Sequence, residues 1–555
     1  VLREKLRADL EQAVEKAMAS GDLPRLDIPP IAIDTPPDPK FGDYATNLAM
    51  LLAAEAKMAP KDVAGAISRH LESDLVEKTQ TAGPGFLNLF VQKDQIGMAA
   101  AEILAQAEDY GRSDSGQGKR VQVEFVSVNP NGPITVASGW GGAIGDVLAS
   151  LLTWAGHSVE REYYVNDAVG STQMYLFCES VISRYMQAFG REYTFPENGY
   201  PGQYVTDLAL EIKSDYGDRF VEMDPDERHR EITEIAIERM VDSQRRDLEA
   251  FGIRYDVWFS ERSLFDSGAV DRALATLEER GYAYDSEGAK WLRTTEFGDD
   301  QDRPIVRRTG EPTYLLGDLA YHVDKLKRGF DLVLDVWGPD HQGHVRPTMA
   351  GIEAVGLDPK RIEILIHSNV RLKRGGEVVT MGKRTGDIIA LSEVVGEVGK
   401  DAARFMYLTR SADAPLDFDL DLAKAQSDEN PVYYVQYAHA RICSILRTAQ
   451  ERGAPLPTVE DADLSILTDD AEQKLIKRLD DFPAEVRDAA GAREPHRMTR
   501  YAMGLATDFH AFYTVCRVLG DDPERTKARL LLVEATRTVL RNVLAILGVT
   551  APERM

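Results

Sequence analysis

The stretch from Val121 to Val165 limits the fold more than any other part of the chain. VQVEFVSV alternates apolar and polar residues at period two and reads as a strand. A turn-rich segment with Pro130, Gly132 and Pro133 follows. Ile144, Val147, Leu148, Leu151 and Leu152 then recur at helical spacing, and VEREYYV (159–165) reads as a second strand. A strand–helix–strand unit of this length crosses over right-handed into a parallel sheet. The helix start is rich in glycine: Gly139, Gly141, Gly142 and Gly145. Free N–H groups and the dipole at a helix N-terminus favour phosphate, and glycine lets a ligand approach the backbone. The same glycines also suit a tight helix–sheet contact with no ligand.

At 555 residues the chain exceeds a single core and suggests three or four domains. Residues 1–112 read as an α+β domain, with Ser, Gly and Asp marking a linker at Arg112–Lys119. From about 120 to 425 strands and helices alternate, as in a doubly wound, Rossmann-like α/β domain, with LVLDVW (332–337) and IEILIH (362–367) as buried strands. A polar helical insertion is expected at about 171–262. Residues 430–555 read as helices only, a C-terminal bundle. The expected fold is therefore multidomain α/β with an N-terminal α+β domain and an all-α C-terminal domain. No apolar run reaches the ~20 residues of a membrane span. Cys178, Cys443 and Cys516 are far apart and form no metal or disulfide pattern, which fits a reducing cytoplasm. A net charge of −26 argues against broad nonspecific nucleic-acid binding but leaves room for a local basic surface.

Four motifs carry chemistry. The first is the turn Asn129–Gly145. The second is Val378–Gly386, VVTMGKRTG, where Lys383 and Arg384 could close over a polyphosphate or form a solvated basic turn. The third is WGPDHQGH (337–344) at a predicted strand end, where ligands of open α/β sheets bind; its spacing fits no standard zinc pattern. The fourth is YLLGDLAY (314–321). Tyr314 and Asp318 lie one helical turn apart there, suited to gripping a cation or to capping a helix.

In this order, and with the helical C-terminus, the motifs resemble arginyl-tRNA synthetase, a class I aminoacyl-tRNA synthetase. Further stretches carry the resemblance: Phe41–Asn47, Ala82–Phe86, REYYVND (161–167), DVWFSERSL (256–264) and NPVYYVQYAHAR (430–441). The resemblance implies ATP-dependent ligation of L-arginine to its tRNA through an arginyl-adenylate, releasing pyrophosphate and AMP. It places Asn129, Glu261, Tyr314, Asp318 and Gln342 around arginine. Two carboxylates suit the ammonium and guanidinium groups, and a planar guanidinium demands directed acceptors. Thr135, Ser138 and Lys383 fall at the catalytic signature positions. Pro133, Gly139, Gly142, Asp340, His341, Met381 and Arg384 fall at the ATP-binding ones. Magnesium is expected with ATP, with no protein-built metal site. The expected partners are arginine tRNA, ATP and L-arginine, with no membrane, and the expected state is a cytoplasmic monomer.

The sequence departs from the family where ATP is handled. The signature His-x-Gly-His reads Thr135-Val-Ala-Ser138, and Trp140 stands where arginine is usual. Lys-Met-Ser-Lys reads Thr380-Met-Gly-Lys383. Hydroxyls can still donate to phosphate, with shorter reach and no positive charge. A catalytically impaired paralogue that only binds arginine or tRNA is the alternative. The intact arginine positions, the retained Lys383 and the three complete domains favour an active enzyme. For tRNA, the C-terminal candidates are Arg497, Arg500, Arg517, Arg525, Lys527, Arg537 and Arg541, with Phe509, Phe512 and Tyr513 as stacking platforms or as core.

Overall fold

The computed structural model describes residues 2–36, 38–168, 172–379 and 389–555. Its centre is a five-stranded sheet of β1 (Arg120–Phe125), β2 (Ser158–Val165), β3 (Val257–Ser260), β4 (Leu332–Trp337) and β5 (Ile362–Ile366). All four pairings are parallel, in the order β3-β2-β1-β4-β5. The direction of winding reverses between β1 and β4, so a crevice opens beyond their carboxyl ends. Helix α1 (Val136–Trp154) links β1 to β2, and α2 (Tyr314–Lys327) precedes β4.

The period-two reading of β1 finds the strand but not its setting. Gln122 and Glu124, the polar half of the alternation, are as buried as Val121 and Val123. Both faces of a parallel sheet are covered, so the alternating pattern here does not mark a wet face. Glu124 accepts from Lys325 Nζ of α2 at 2.9 Å.

The insertion has its own core. Helices Thr172–Ala188, Gln203–Tyr216 and Pro225–Ala250 enclose Phe177, Tyr185, Phe220 and Ile232. The expected range of 171–262 runs too far, because Val257–Ser260 pairs with β2 as the sheet's edge strand. At the amino end, Tyr44–Thr46, Val76–Ala82 and Phe86–Val91 form an antiparallel sheet with helices Leu2–Ser20, Leu48–Ala56 and Pro60–His70. This unit packs on the C-terminal helices. The Tyr110 hydroxyl donates to the Leu479 carbonyl at 3.1 Å, and Asn542 Nδ2 donates to the Ala107 and Tyr110 carbonyls at 3.0 Å each.

Arg404 joins three units at one point, with no exposed side-chain surface. Its guanidinium meets Asp146 of α1 at 2.6 Å, the carbonyl of Leu547 at 2.9 Å and that of Phe251 at 3.4 Å. A buried charge needs such a full set of acceptors. No described helix is long and apolar enough to cross a membrane.

Candidate active site

The crevice begins where β1 ends. Val126 (φ 70°) and Ser127 (φ 39°) lie in the left-handed region, where a β-branched residue is strained. Local bonds hold them: Ser127 Oγ accepts from the Tyr164 N–H at 3.1 Å, and Asn166 Nδ2 donates to the Ser127 carbonyl at 2.9 Å. The turn beyond is pinned from the insertion. Buried Gln244 donates to the carbonyls of Gly132 (2.8 Å) and Asn129 (3.2 Å) and accepts from the Tyr163 hydroxyl (3.0 Å). Sequence reasoning missed Gln244, since a lone glutamine in a polar helix carries no signal.

Thr135 is the N-cap of α1. Its Oγ1 accepts from the Ser138 N–H at 3.2 Å and lies 2.9 Å from Ser138 Oγ. A threonine cap is worth about 1 kcal/mol to a helix. Both hydroxyls stand at the helix N-terminus, where the macrodipole favours an anion. Gly139 and Gly142, expected to face the nucleotide, are also closely packed on their Cα side. A Cβ at Gly139 would meet Leu391 at 2.6 Å, and one at Gly142 would meet Ile253 at 2.9 Å. Gly145 is similar, with the Phe125 ring 2.2 Å from its would-be Cβ. For these three the tight-contact reading of the glycines holds. Pro133 is partly buried in the turn before the cap.

Lys383, Met381 and Arg384 lie outside the described residues. The chain beyond them returns to the start of α1: Val136 N–H donates to the Ile389 carbonyl (3.3 Å), and Leu391 N–H to that of Ile134 (2.8 Å).

A second hollow, of about 150 Å³, is lined by Asn129, Asn166, Glu261, Phe265, Tyr314 and Gly317, among others. Glu261 follows β3 and lies against α2, its Oε1 3.8 Å from where a Gly317 Cβ would stand. Burial raises the Glu261 carboxyl above its usual range, opposed by the Ala168 N–H and the Tyr164 hydroxyl. Burial pushes the Asp318 carboxyl up to about 7; nearby His322 and Lys325 oppose the rise, and Glu124 and Glu261 add to it. Glu261 thus brings a raised carboxyl to the hollow, and Asp318, next in the chain to the lining residue Gly317, holds a second one beside it. Gln342 is not part of it. It is exposed on the turn Pro339–His344 beyond β4, as are Asp340 and His341.

Beneath Asp318 lies a buried charge cluster. Lys325 Nζ bonds Glu124 (2.9 Å) and Asp335 (2.7 Å), and His322 Nε2 lies 2.8 Å from Asp335. Burial alone would raise Asp335, but Lys325 and His322 hold its carboxyl well below the usual range. His322 Nδ1 also donates to the Asp318 carbonyl at 2.7 Å, which ties the cluster to the pocket.

The helical domain carries a cleft of about 860 Å³ lined by Arg441, Arg447, Arg452, Arg517, Arg554 and Tyr513, among others. Arg441 lies over the Tyr513 ring at 4.6 Å. Of the expected basic set only Arg517 lines it. Arg497, Arg525, Lys527 and Arg537 are ion-paired to neighbouring acids, and Phe509 and Phe512 are fully buried core. Arg441 and Arg447 lie on the helix Pro431–Glu451 and Arg452 is its C-cap; their spacing of six and five residues carries no helical periodicity, so the sequence offered no signal for them.

The family described as "tRNA synthetases class I (R), catalytic domain" matches residues 99–411. "Arginyl tRNA synthetase N terminal domain" matches 4–91, and "DALR anticodon binding domain" matches 435–555. An arginine–tRNA ligase of Moorella thermoacetica is 49% identical over 100% of this chain and 99% of its own. The chain belongs to the arginyl-tRNA synthetases. A second relative, the arginine–tRNA ligase of Carboxydothermus hydrogenoformans, is 48% identical over 97% of each chain. The arginyl-tRNA synthetase of Thermus thermophilus shares the fold of this synthetase, with a TM-score of 0.77 at 21% identity, covering 99% of this chain and all of that one. The expected architecture therefore stands: a class I parallel-sheet core, an N-terminal domain and a helical C-terminal domain. As a member of the family, the synthetase takes part in protein biosynthesis and acts with ATP.

Proposed function

We propose that the protein joins L-arginine to its tRNA in two steps. The carboxylate of arginine attacks the α-phosphorus of ATP in line, giving arginyl-adenylate and pyrophosphate. A ribose hydroxyl of the tRNA's terminal adenosine then takes the arginyl group and AMP leaves. The chain's work is to position and to stabilise charge, so no general base is assigned. Glu261 and Asp318, with Asn129 and Tyr314, hold arginine. The start of α1 with Thr135 and Ser138, and Lys383 with Arg384, hold the triphosphate. Asp340 and His341 wall the crevice at the end of β4.

The hollow that Glu261 lines, with Asp318 adjoining its lining residue Gly317, carries this reading. Two raised carboxyls beside a cavity of amino-acid size call for a ligand with two cationic ends. Lysine lacks the planar fork and should be rejected. Magnesium would enter on the phosphates, bound by hard oxygen donors and water. Among the described residues the one group of three possible ligands, Asp469, Glu472 and Cys516, is engaged by Arg525 and Arg529 in the helical domain. The arginine-lined cleft supports a site for unpaired tRNA bases, with Tyr513 and Arg441 to stack on them. Division into units at 1–112, 120–425 and 430–555, a monomeric state and a cytoplasmic location complete the proposal.

The test is pyrophosphate exchange into ATP with arginine and arginine tRNA present. Exchange that requires both is expected. A protein that binds the tRNA yet exchanges nothing would overturn catalysis, and exchange with another amino acid in place of arginine would overturn the substrate.

A further inference from the structure

The structure brings an imidazole to the helix that lacks its two signature histidines. His367 directly follows β5, and its N–H donates to the Trp337 carbonyl at 3.0 Å, so it stands at the carboxyl ends of β4 and β5. The residue is only 5% exposed. Its Nδ1 donates to the Ser368 carbonyl at 3.0 Å, while Nε2 has no hydrogen-bond partner among the described residues. Nε2 points at α1: a Cβ on Gly141 would lie 2.9 Å from it, and one on Gly338 would lie 3.8 Å away. Ser138 and Gly141 are three apart and so are neighbours on the helix, about 4.5 Å along it, while Thr135 caps the helix one step earlier. The buried imidazole thus lies one helical turn along from Ser138, in room that Gly141 leaves. Trp140 packs beside it, ring centroids 5.4 Å apart, fully buried and with its indole N–H unpartnered.

We propose that His367 supplies the imidazole contact to the phosphate chain of ATP that family members take from the start of the helix. The inference rests on the reading of this crevice as the ATP site. The partner must be an anion for a chemical reason. With Nδ1 committed to a carbonyl, Nε2 becomes a donor only by taking a proton, and a phosphate at the helix N-terminus supplies the charge that favours it. In the free protein burial, together with His341, holds the ring below the usual histidine range, so it waits neutral. His341 is the titratable group that acts on it among the described residues; the faces from α1 and from Gly338 bring no charge. The two histidines of the signature have in effect been exchanged for two hydroxyls and a histidine on the sheet side, with Gly141 leaving room for the ring.

The experiment is a mutant cycle on the full-length protein with tRNA present. Exchange kinetics are read for the wild type, His367→Gln, Thr135→His/Ser138→His, and all three changes together. His367→Gln should lower kcat/KM for ATP by about tenfold or more, the range of one charged hydrogen bond, and leave KM for arginine within about twofold. With histidines restored at 135 and 138 the same change should cost less than about threefold. In addition, the ring signals of His367, assigned by their absence in His367→Gln, should move to the imidazolium position when a non-hydrolysable ATP analogue binds. Equal losses in both backgrounds, or losses shared with arginine, would assign His367 a packing role and overturn the inference. Full wild-type exchange with a His367 ring that ignores the analogue would do the same while leaving the ATP site standing. A wild type that neither exchanges nor binds the analogue would overturn the ATP reading itself.

Discussion

Arginine affinity should depend on pH through Asp318. Burial raises this carboxyl to about 7, so in the free protein it holds its proton up to near neutrality. Stability that the neutral form gives the empty protein is lost as pH rises toward that value, because the folded state binds more protons than the unfolded one. A bound arginine reverses the preference, since its cationic groups favour the carboxylate. If binding requires the ionised form, the competent fraction is about one-eleventh at pH 6 and ten-elevenths at pH 8, so affinity should rise ~10-fold across that interval and flatten above it. The assay is calorimetric titration of arginine from pH 6 to 8 in buffers of different ionisation enthalpy, which also counts the proton released. Asp318→Asn should abolish most of the slope and weaken binding ~10–100-fold through loss of a charged acceptor. An affinity that stays flat from pH 6 to 8, or an Asn variant that keeps the slope, would refute the reasoning.

Lys325→Met should destabilise the catalytic domain by about 3–5 kcal/mol in denaturant unfolding, because it leaves Glu124 and Asp335 buried without their shared cation. Gly145→Ala should cost about 1–3 kcal/mol in the same assay, since its methyl group would fall 2.2 Å from the Phe125 ring. Thr135→Ala should cost about 1 kcal/mol as a lost N-cap; a Thr135→Ser variant should restore it, and an unchanged melting curve for Thr135→Ala would contradict the cap. Arg441→Ala and Arg517→Ala should each weaken tRNA binding and flatten its salt dependence by about one counterion, while leaving arginine binding alone; filter binding at several salt concentrations measures this.

The sequence by itself determined the order and kind of the elements, the strand–turn–helix at Val121–Trp154, the family, and three of the residues that line the hollow beside α2, Asn129, Glu261 and Tyr314. These are legible because periodicity is local and because signature residues lie close together in the chain. Only the tertiary structure decided which polar residues are inside and what each glycine is for. Gln122 and Glu124 are the polar half of an alternating strand, yet both are buried, and Lys325 of α2 answers Glu124 from 201 positions away. Gly139, Gly142 and Gly145 looked like a phosphate cradle, but their missing side chains leave room for Leu391, Ile253 and Phe125. His367, 226 residues beyond Gly141, has no local pattern to connect it with the helix; the parallel sheet does so by ending β5 beside β4 at the crevice. Burial and charge compensation act between side chains brought together by the chain's return. A pattern read along the sequence reports the first neighbour on the chain, and a site of this kind is made of neighbours in space.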